Sequence, residues 1–208
     1  MVSCTRWLQG TVAGSGPIEN DWLATSNAAA LARLHAAQAP RQIPVWRRLV
    51  EDDFCDRLEQ SLRRPWTAGP YGEQARRAIA ARISDIRRWT ASYHRLCRRA
   101  SDSPWVPTHG EPHTANQVIT ESGVVFVDWE TVALAPRERD LRTLVDSGYA
   151  DLVAPDWAMI AMFDVEWRLD ELSQYSTWFA SPHRGTESDR VALEALFEEL
   201  DRPDVFAD

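Results

Sequence analysis

Two short β-rich runs stand alone in a sequence otherwise patterned for helix, and they constrain the fold more than any other feature. Val118-Ile119-Thr120 and Val124-Val125-Phe126-Val127 flank the turn residues Glu121-Ser122-Gly123. That is the pattern of a β-hairpin. A two-stranded hairpin is only marginally stable in water. Helices must therefore hold it, and the expected class is mainly α, an α+β fold with one hairpin.

The rest of the chain supplies those helices. Asp21 opens one that runs to about residue 39, where Pro40 stops it. A second covers about Val45 to Leu62. A third runs unbroken from Glu73 to about Ala100, with Ile79, Ile83, Ile86, Trp89, Tyr93 and Leu96 or Cys97 on one face and Arg residues on the other. After the hairpin, helices are expected over about 136–146, 155–179 and 186–200. Trp157, Trp167 and Trp178 fall near helical spacing in the second of these and read as core rather than as a sugar platform. The loop from Gly10 to Gly16 lacks the Lys and Ser/Thr of a phosphate loop and reads as a connector.

Composition closes off several chemistries. At 208 residues and 44% hydrophobic, the chain can bury a core. Its 23 basic residues are all Arg. Without lysine it supplies no Schiff base, no Walker A lysine and no nucleotide-clamping lysine. The net charge of −8 argues against nucleic acid as a partner. That charge lies in residues 164–208, which hold 12 acids and 4 Arg, whereas residues 41–100 hold 14 Arg against 7 acids. Cys4, Cys55 and Cys97 form no C-x-x-C pair, which suits reduced, buried thiols. No stretch approaches the ~18 apolar residues of a membrane span, and no signal-peptide pattern opens the chain. The expectation is a cytoplasmic protein without a membrane partner.

The polar loop that leads into the hairpin gathers His109, Glu111, His113, Asn116 and Asp128. Three readings compete. Phosphoryl transfer needs a carboxylate to accept the proton of the attacking hydroxyl, an amide five residues on to ligate Mg²⁺, and a second carboxylate after a hairpin. Glu111, Asn116 and Asp128 meet that spacing. A zinc or iron site at His109, Glu111 and His113 is the second reading, but it leaves Asn116 and the hairpin unexplained. The third is a polar loop braced by hydrogen bonds, with no chemistry.

His109-Gly110-Glu111-Pro112-His113-Thr114-Ala115-Asn116, the segment Val127-Asp128-Trp129-Glu130 after a hairpin, and Asp140-Leu141 twelve positions beyond Asp128 resemble the aminoglycoside phosphotransferase (phosphotransferase enzyme) family. That family shares the protein-kinase-like fold. More weakly, Arg6-Trp7-Leu8-Gln9-Gly10 resembles the linker between its two lobes, and Leu31-Ala32-Arg33-Leu34-His35 its first C-lobe helix. The resemblance implies residues 1–20 as a linker remnant and residues 21–208 as a helical C-lobe. Within that lobe it implies a catalytic loop at 108–117, the hairpin at 117–127 carrying the metal-binding segment, and acceptor-side helices at 136–201.

Carried over position by position, the resemblance implies Glu111 as catalytic base and Asn116 and Asp128 as metal ligands. His109 and Asp140 would brace the site, and His113 would support the catalytic loop. It implies ATP and Mg²⁺ as cofactors and phosphorylation of a hydroxyl on a small molecule, of the aminoglycoside or other amine-bearing antibiotic or metabolite type. Asp164, Glu166, Asp170 and Glu171 are then candidates for meeting a cationic acceptor. Glu111 departs from the family's usual Asp. The larger departure is the absence of an N-terminal lobe with its phosphate-anchoring lysine, which leaves the expected enzyme incomplete. The alternative is a catalytically inactive C-lobe remnant that binds a ligand or partner. An uncovered inter-lobe face would favour a homodimer.

Overall fold

The computed structural model describes residues 8–203. Cys4, Arg6 and Trp7, singled out in the sequence, lie outside them. The chain divides into two compact units, one of residues 1–46 and 103–160, the other of 47–102 and 161–208.

The first unit holds the hairpin. Strands β3 (Gln117–Thr120) and β4 (Gly123–Phe126) pair antiparallel, with Gln117 opposite Phe126. The hairpin is not isolated, as the sequence suggested. Strand β1 (Thr11–Val12) adds to β3, setting Thr11 opposite Ile119. A second sheet pairs β2 (Trp105–Thr108) with β5 (Ala133–Pro136). Neither addition carries a local signal. β1 is too short to show alternation, and β2 and β5 both contain proline, which demotes a run as a strand candidate. Helix α1 (Asp21–His35) starts at Asn20, whose side chain caps Leu23 N–H at 2.9 Å. It ends four residues short of the expected stop. Its Leu23, Ala24 and Leu31 pack with Val124 and Phe126 of the hairpin, and with Leu141 and with Leu144 of helix α5 (Arg142–Asp146). That cluster is what the hairpin needs for stability.

Before α5, residues Arg137–Asp140 form a 3-10 turn rather than the start of the helix expected from 136. The helix expected from Val45 begins only at Phe54. Residues 44–46 instead bond to β5, with Leu134 N–H donating to Pro44 O and Trp46 N–H to Leu134 O, both at 2.8 Å.

The second unit is helical: α2 (Phe54–Leu62), α3 (Gly72–Ala81), α4 (Ile83–Ala100), most of α6 (Trp157–Ala180), and α7 (Glu187–Asp201). The apolar face read from the sequence is buried, with Ile79, Ile86, Trp89 and Tyr93 at most 2% exposed. The single long helix is in fact two. Arg82 leaves helical geometry at φ −109°, ψ 9°, and its guanidinium caps Leu200 O at 2.7 Å. No Gly or Pro marks that break, and the partner that Arg82 meets there is 118 residues away. α7 opens with a capping box between Thr186 and Asp189. Cys55 and Cys97 are buried free thiols.

One core assignment needs correction. Trp157, Trp167 and Trp178 are 60%, 44% and 42% exposed. α6 has more large apolar residues than one face can hold, and Met159, Met162, Leu169, Leu172 and Phe179 fill the interior instead.

Candidate active site

The site is built on the loop between β2 and β3, and Asp140 is its anchor. One carboxylate oxygen of Asp140 accepts from His109 N–H at 2.9 Å, the other from Gly110 N–H at 2.7 Å. His35, the last residue of α1, meets Asp140 through Nε2 at 3.0 Å. Asp140 is 1% exposed. Two backbone N–H groups and an imidazole satisfy a carboxylate that would otherwise be costly to bury.

His109 is fully buried. Its Nε2 lies 2.9 Å from Val127 O. A carbonyl only accepts, so Nε2 carries the hydrogen. Nδ1 then accepts from Glu111 N–H at 3.3 Å. Both nitrogens are occupied by the neutral ring, and burial pushes its pKa below the ordinary imidazole value. The ring stacks obliquely on Trp129, with centroids 4.5 Å apart. One side chain thus ties the loop before Glu111 to the segment before Asp128.

Gly110 adopts φ 97°, a conformation that glycine reaches without strain. A Cβ there would also run into the Arg139 guanidinium. Arg139 in turn donates to Thr108 Oγ1 at 3.0 Å and Thr131 O at 2.9 Å, and Thr131 Oγ1 donates to His109 O at 2.8 Å. Further along, buried Gln117 donates to Pro112 O at 2.7 Å.

The chemistry-bearing groups sit on this brace. Asn116 Nδ2 donates to Glu111 O at 3.0 Å and lies 3.4 Å from His113 Nε2. That fixes the amide and leaves Oδ1 without a protein partner among the described residues. Val127 N–H donates to Asn116 O at 3.0 Å, which brings the Asn116 backbone beside the residue preceding Asp128. Asp128 takes φ 65°, a left-handed conformation uncommon outside glycine and concentrated at functional sites. Among the described residues, no protein donor meets the Glu111 or Asp128 carboxylate.

Asn116 offers an amide oxygen and Asp128 a carboxylate, both oxygen donors. That donor set suits Mg²⁺, which keeps most of its positions for water and phosphate. The zinc or iron reading fails on geometry. Both nitrogens of His109 are committed, and the described residues hold no cluster of three or more His, Cys, Asp or Glu placed to bind a metal.

The candidate acceptor residues lie in the second unit. Glu166 is buried, and its carboxylate takes the Tyr93 hydroxyl and Leu49 N–H. Asp164 pairs with Arg202 at 3.4 Å, Asp170 accepts from Gln174, and Glu171 from Tyr175. Glu166 therefore serves that unit's interior. Sequence reasoning gave no role to His35, Arg139, Thr108, Thr131 or Gln117. His35 and Asp140 are 105 positions apart, so only the tertiary fold reveals that pair.

The chain matches the profile of the phosphotransferase enzyme family over residues 2–183. It is 30% identical over 191 residues to Protein StrN of Streptomyces griseus, covering 84% of this chain and 58% of that protein. This chain therefore spans little more than half of that relative's length. The fold is similar to that of a spectinomycin phosphotransferase in complex with ADP and spectinomycin, with TM-score 0.69 and 14% identity, over 95% of this chain and 67% of the other. It is also similar to an ethanolamine kinase of Plasmodium vivax, with TM-score 0.58 and 14% identity, over 93% of this chain and 63% of the other.

Proposed function

Because the chain belongs to the phosphotransferase enzyme family, we propose that it carries the base and metal-binding groups of a kinase that transfers the γ-phosphoryl group of ATP to a hydroxyl of a small molecule. One observation carries this reading. The carboxylates of Glu111 and Asp128 and the Oδ1 of Asn116 have no protein partner among the described residues, on two segments braced by hydrogen bonds with the side chains of His109, Asn116, Gln117 and Asp140.

Each residue has a definable task. Glu111 accepts the proton of the attacking hydroxyl and so raises its nucleophilicity. Asn116 and Asp128 would hold Mg²⁺, which neutralises charge on the transferring phosphates. His109 and Asp140 keep the two segments in register, which suits phosphoryl transfer because it depends on positioning and fixed charge rather than covalent help. The extra methylene of Glu111 relative to Asp sets how far the base reaches.

The acceptor we propose is an amine-bearing alcohol, the chemistry shared by spectinomycin and ethanolamine, for which the two fold neighbours are named. An antibiotic acceptor would make this a resistance enzyme.

The test is calorimetric titration of ATP with and without Mg²⁺, beside a turnover assay against spectinomycin and ethanolamine. Mg²⁺-dependent binding that Asp128→Ala weakens by about tenfold or more supports the reading. Loss of turnover by about 10²-fold in Glu111→Gln, with ATP binding kept, assigns the base. Metal-independent binding, or turnover indifferent to Glu111→Gln, overturns it.

A further inference from the structure

Two connections of the second unit meet on one imidazole. His183 stands in the turn between α6 and α7, and the turn between α2 and α3 runs past it. The N–H of Tyr71, the residue before α3, donates to His183 Nε2 at 3.0 Å. The other ring nitrogen, Nδ1, lies 2.9 Å from Ser181 O. We propose that His183 is a pH-sensitive latch: its neutral ring locks these two connections together, and protonation releases them.

The hydrogen positions carry the proposal. A peptide N–H only donates, so Nε2 is bare. A carbonyl only accepts, so Nδ1 holds the hydrogen. This is the neutral ring in a single tautomer, and the imidazolium cannot stand in for it. A proton added at Nε2 would set two N–H donors against each other 3.0 Å apart.

Packing holds the ring in that seat. Tyr71 stacks on it, with centroids 6.2 Å apart and planes at 21°, and Phe179 meets it edge-on at 5.4 Å. A Cβ at Gly69 would strike the imidazole, so the ring lies against bare backbone. At Gly185, φ 75°, a Cβ would come within 2.9 Å of Pro70 Cγ. The two turns therefore touch closely at two places, and His183 supplies the hydrogen bond between them.

The surrounding charge favours release by acid. Asp189 of α7 bears on the ring. Trp178, Thr186 and, more weakly, His183 hold its carboxyl down to about 2, so it is negative wherever an imidazole titrates and favours the charged ring. Tyr71 across the stack and Arg184 next in the chain are the other titratable groups beside it. The closed latch binds one proton fewer than the open one, so it is favoured as pH rises and lost as pH falls. His109 is also neutral, but it is fully buried, and a proton there works against the fold as a whole. His183 is half-buried between two turns, where local opening breaks no core.

The test is amide exchange in the full chain between about pH 8 and 5, each rate divided by that of an unstructured peptide at the same pH. Protection of the Tyr71 amide should fall about tenfold with the midpoint at which the His183 ring protonates, read from its Cε1–H resonance. The amides of Leu169 and Leu172, buried in α6, should keep theirs. His183→Gln offers an oxygen acceptor that takes no proton, and its Tyr71 protection should not change with pH. As a second measurement, trypsin cleavage after exposed Arg184, corrected for its rate on denatured chain at each pH, should speed up about tenfold over the same range in the parent. Tyr71 protection that ignores pH, that falls at a midpoint other than the ring's, or that falls together with Leu169 and Leu172 overturns the latch. So does an equal pH-dependent fall in His183→Gln, or cleavage after Arg184 that does not accelerate. A Gln variant unprotected at every pH leaves the decision to the parent, where coincidence of the two midpoints supports the latch and separation overturns it.

Discussion

His35 and Asp140, separated by 105 positions, meet at 3.0 Å between Nε2 and Oδ2, and the same carboxylate holds the N–H groups of His109 and Gly110. The end of a helix and the start of the loop between β2 and β3 thus share one buried acceptor. Asp140→Ala leaves two backbone donors and an imidazole without their partner, at about 1–3 kcal/mol for each group left unsatisfied. Urea titration should show the midpoint falling at unchanged slope. An Asp140→Ala midpoint equal to the parent's would remove the carboxylate from its anchoring role.

His109 makes stability depend on pH in a defined window. Its folded pKa is lowered by burial, so between that value and the unfolded value of about 6.5 the unfolded chain binds the extra proton. The stabilisation is complete above about pH 6.5 and is lost as pH falls through that value toward the folded pKa. Glu73 and Asp189, each held down to about 2 by hydrogen-bonding partners, act lower, below the unfolded carboxylate values of about 4. Thermal melts between pH 7.5 and 5 should therefore show a decline that His109→Gln reduces. An identical slope in the variant would contradict the assignment.

Gly110→Ala meets two obstacles: φ 97° and the Arg139 guanidinium. The expected loss is about 1–3 kcal/mol. Arg139→Ala removes the second obstacle while costing its own hydrogen bonds. The double variant should therefore be less destabilised than the sum of the two singles, by about 0.5–3 kcal/mol in a double-mutant cycle. Strict additivity would show that the guanidinium does not confine Gly110.

Asp128 sits at φ 65°. Asn tolerates that conformation and a β-branched residue does not. Asp128→Asn should melt like the parent yet lose Mg²⁺-dependent ATP binding, whereas Asp128→Val should also lose about 1–2 kcal/mol of stability. Equal melting of Asn and Val variants would argue against strain at this position.

What was legible in the sequence was what local pattern encodes. The hairpin, the buried face from Ile79 to Cys97 and the five-residue step from Glu111 to Asn116 all follow from spacing. What was not legible depends on partners far along the chain. β1 has two residues and exists because β3 offers an edge. Arg82, at the break between α3 and α4, meets Leu200 O, a partner that no local pattern announces. The acids of α6 looked alike in sequence, yet Glu166 turns inward to Tyr93 while Asp170 stays on Gln174. Arg139 shows no local sign of lying against Gly110.

The pairing of β1 with β3 has a practical consequence. At Gly10 a side chain would strike the Ile119 carbonyl and the Val118 side chain, so the backbone enters pressed against the hairpin. A side chain introduced at Gly10 would push on β3 and, through it, on β4, the strand that leads to Asp128.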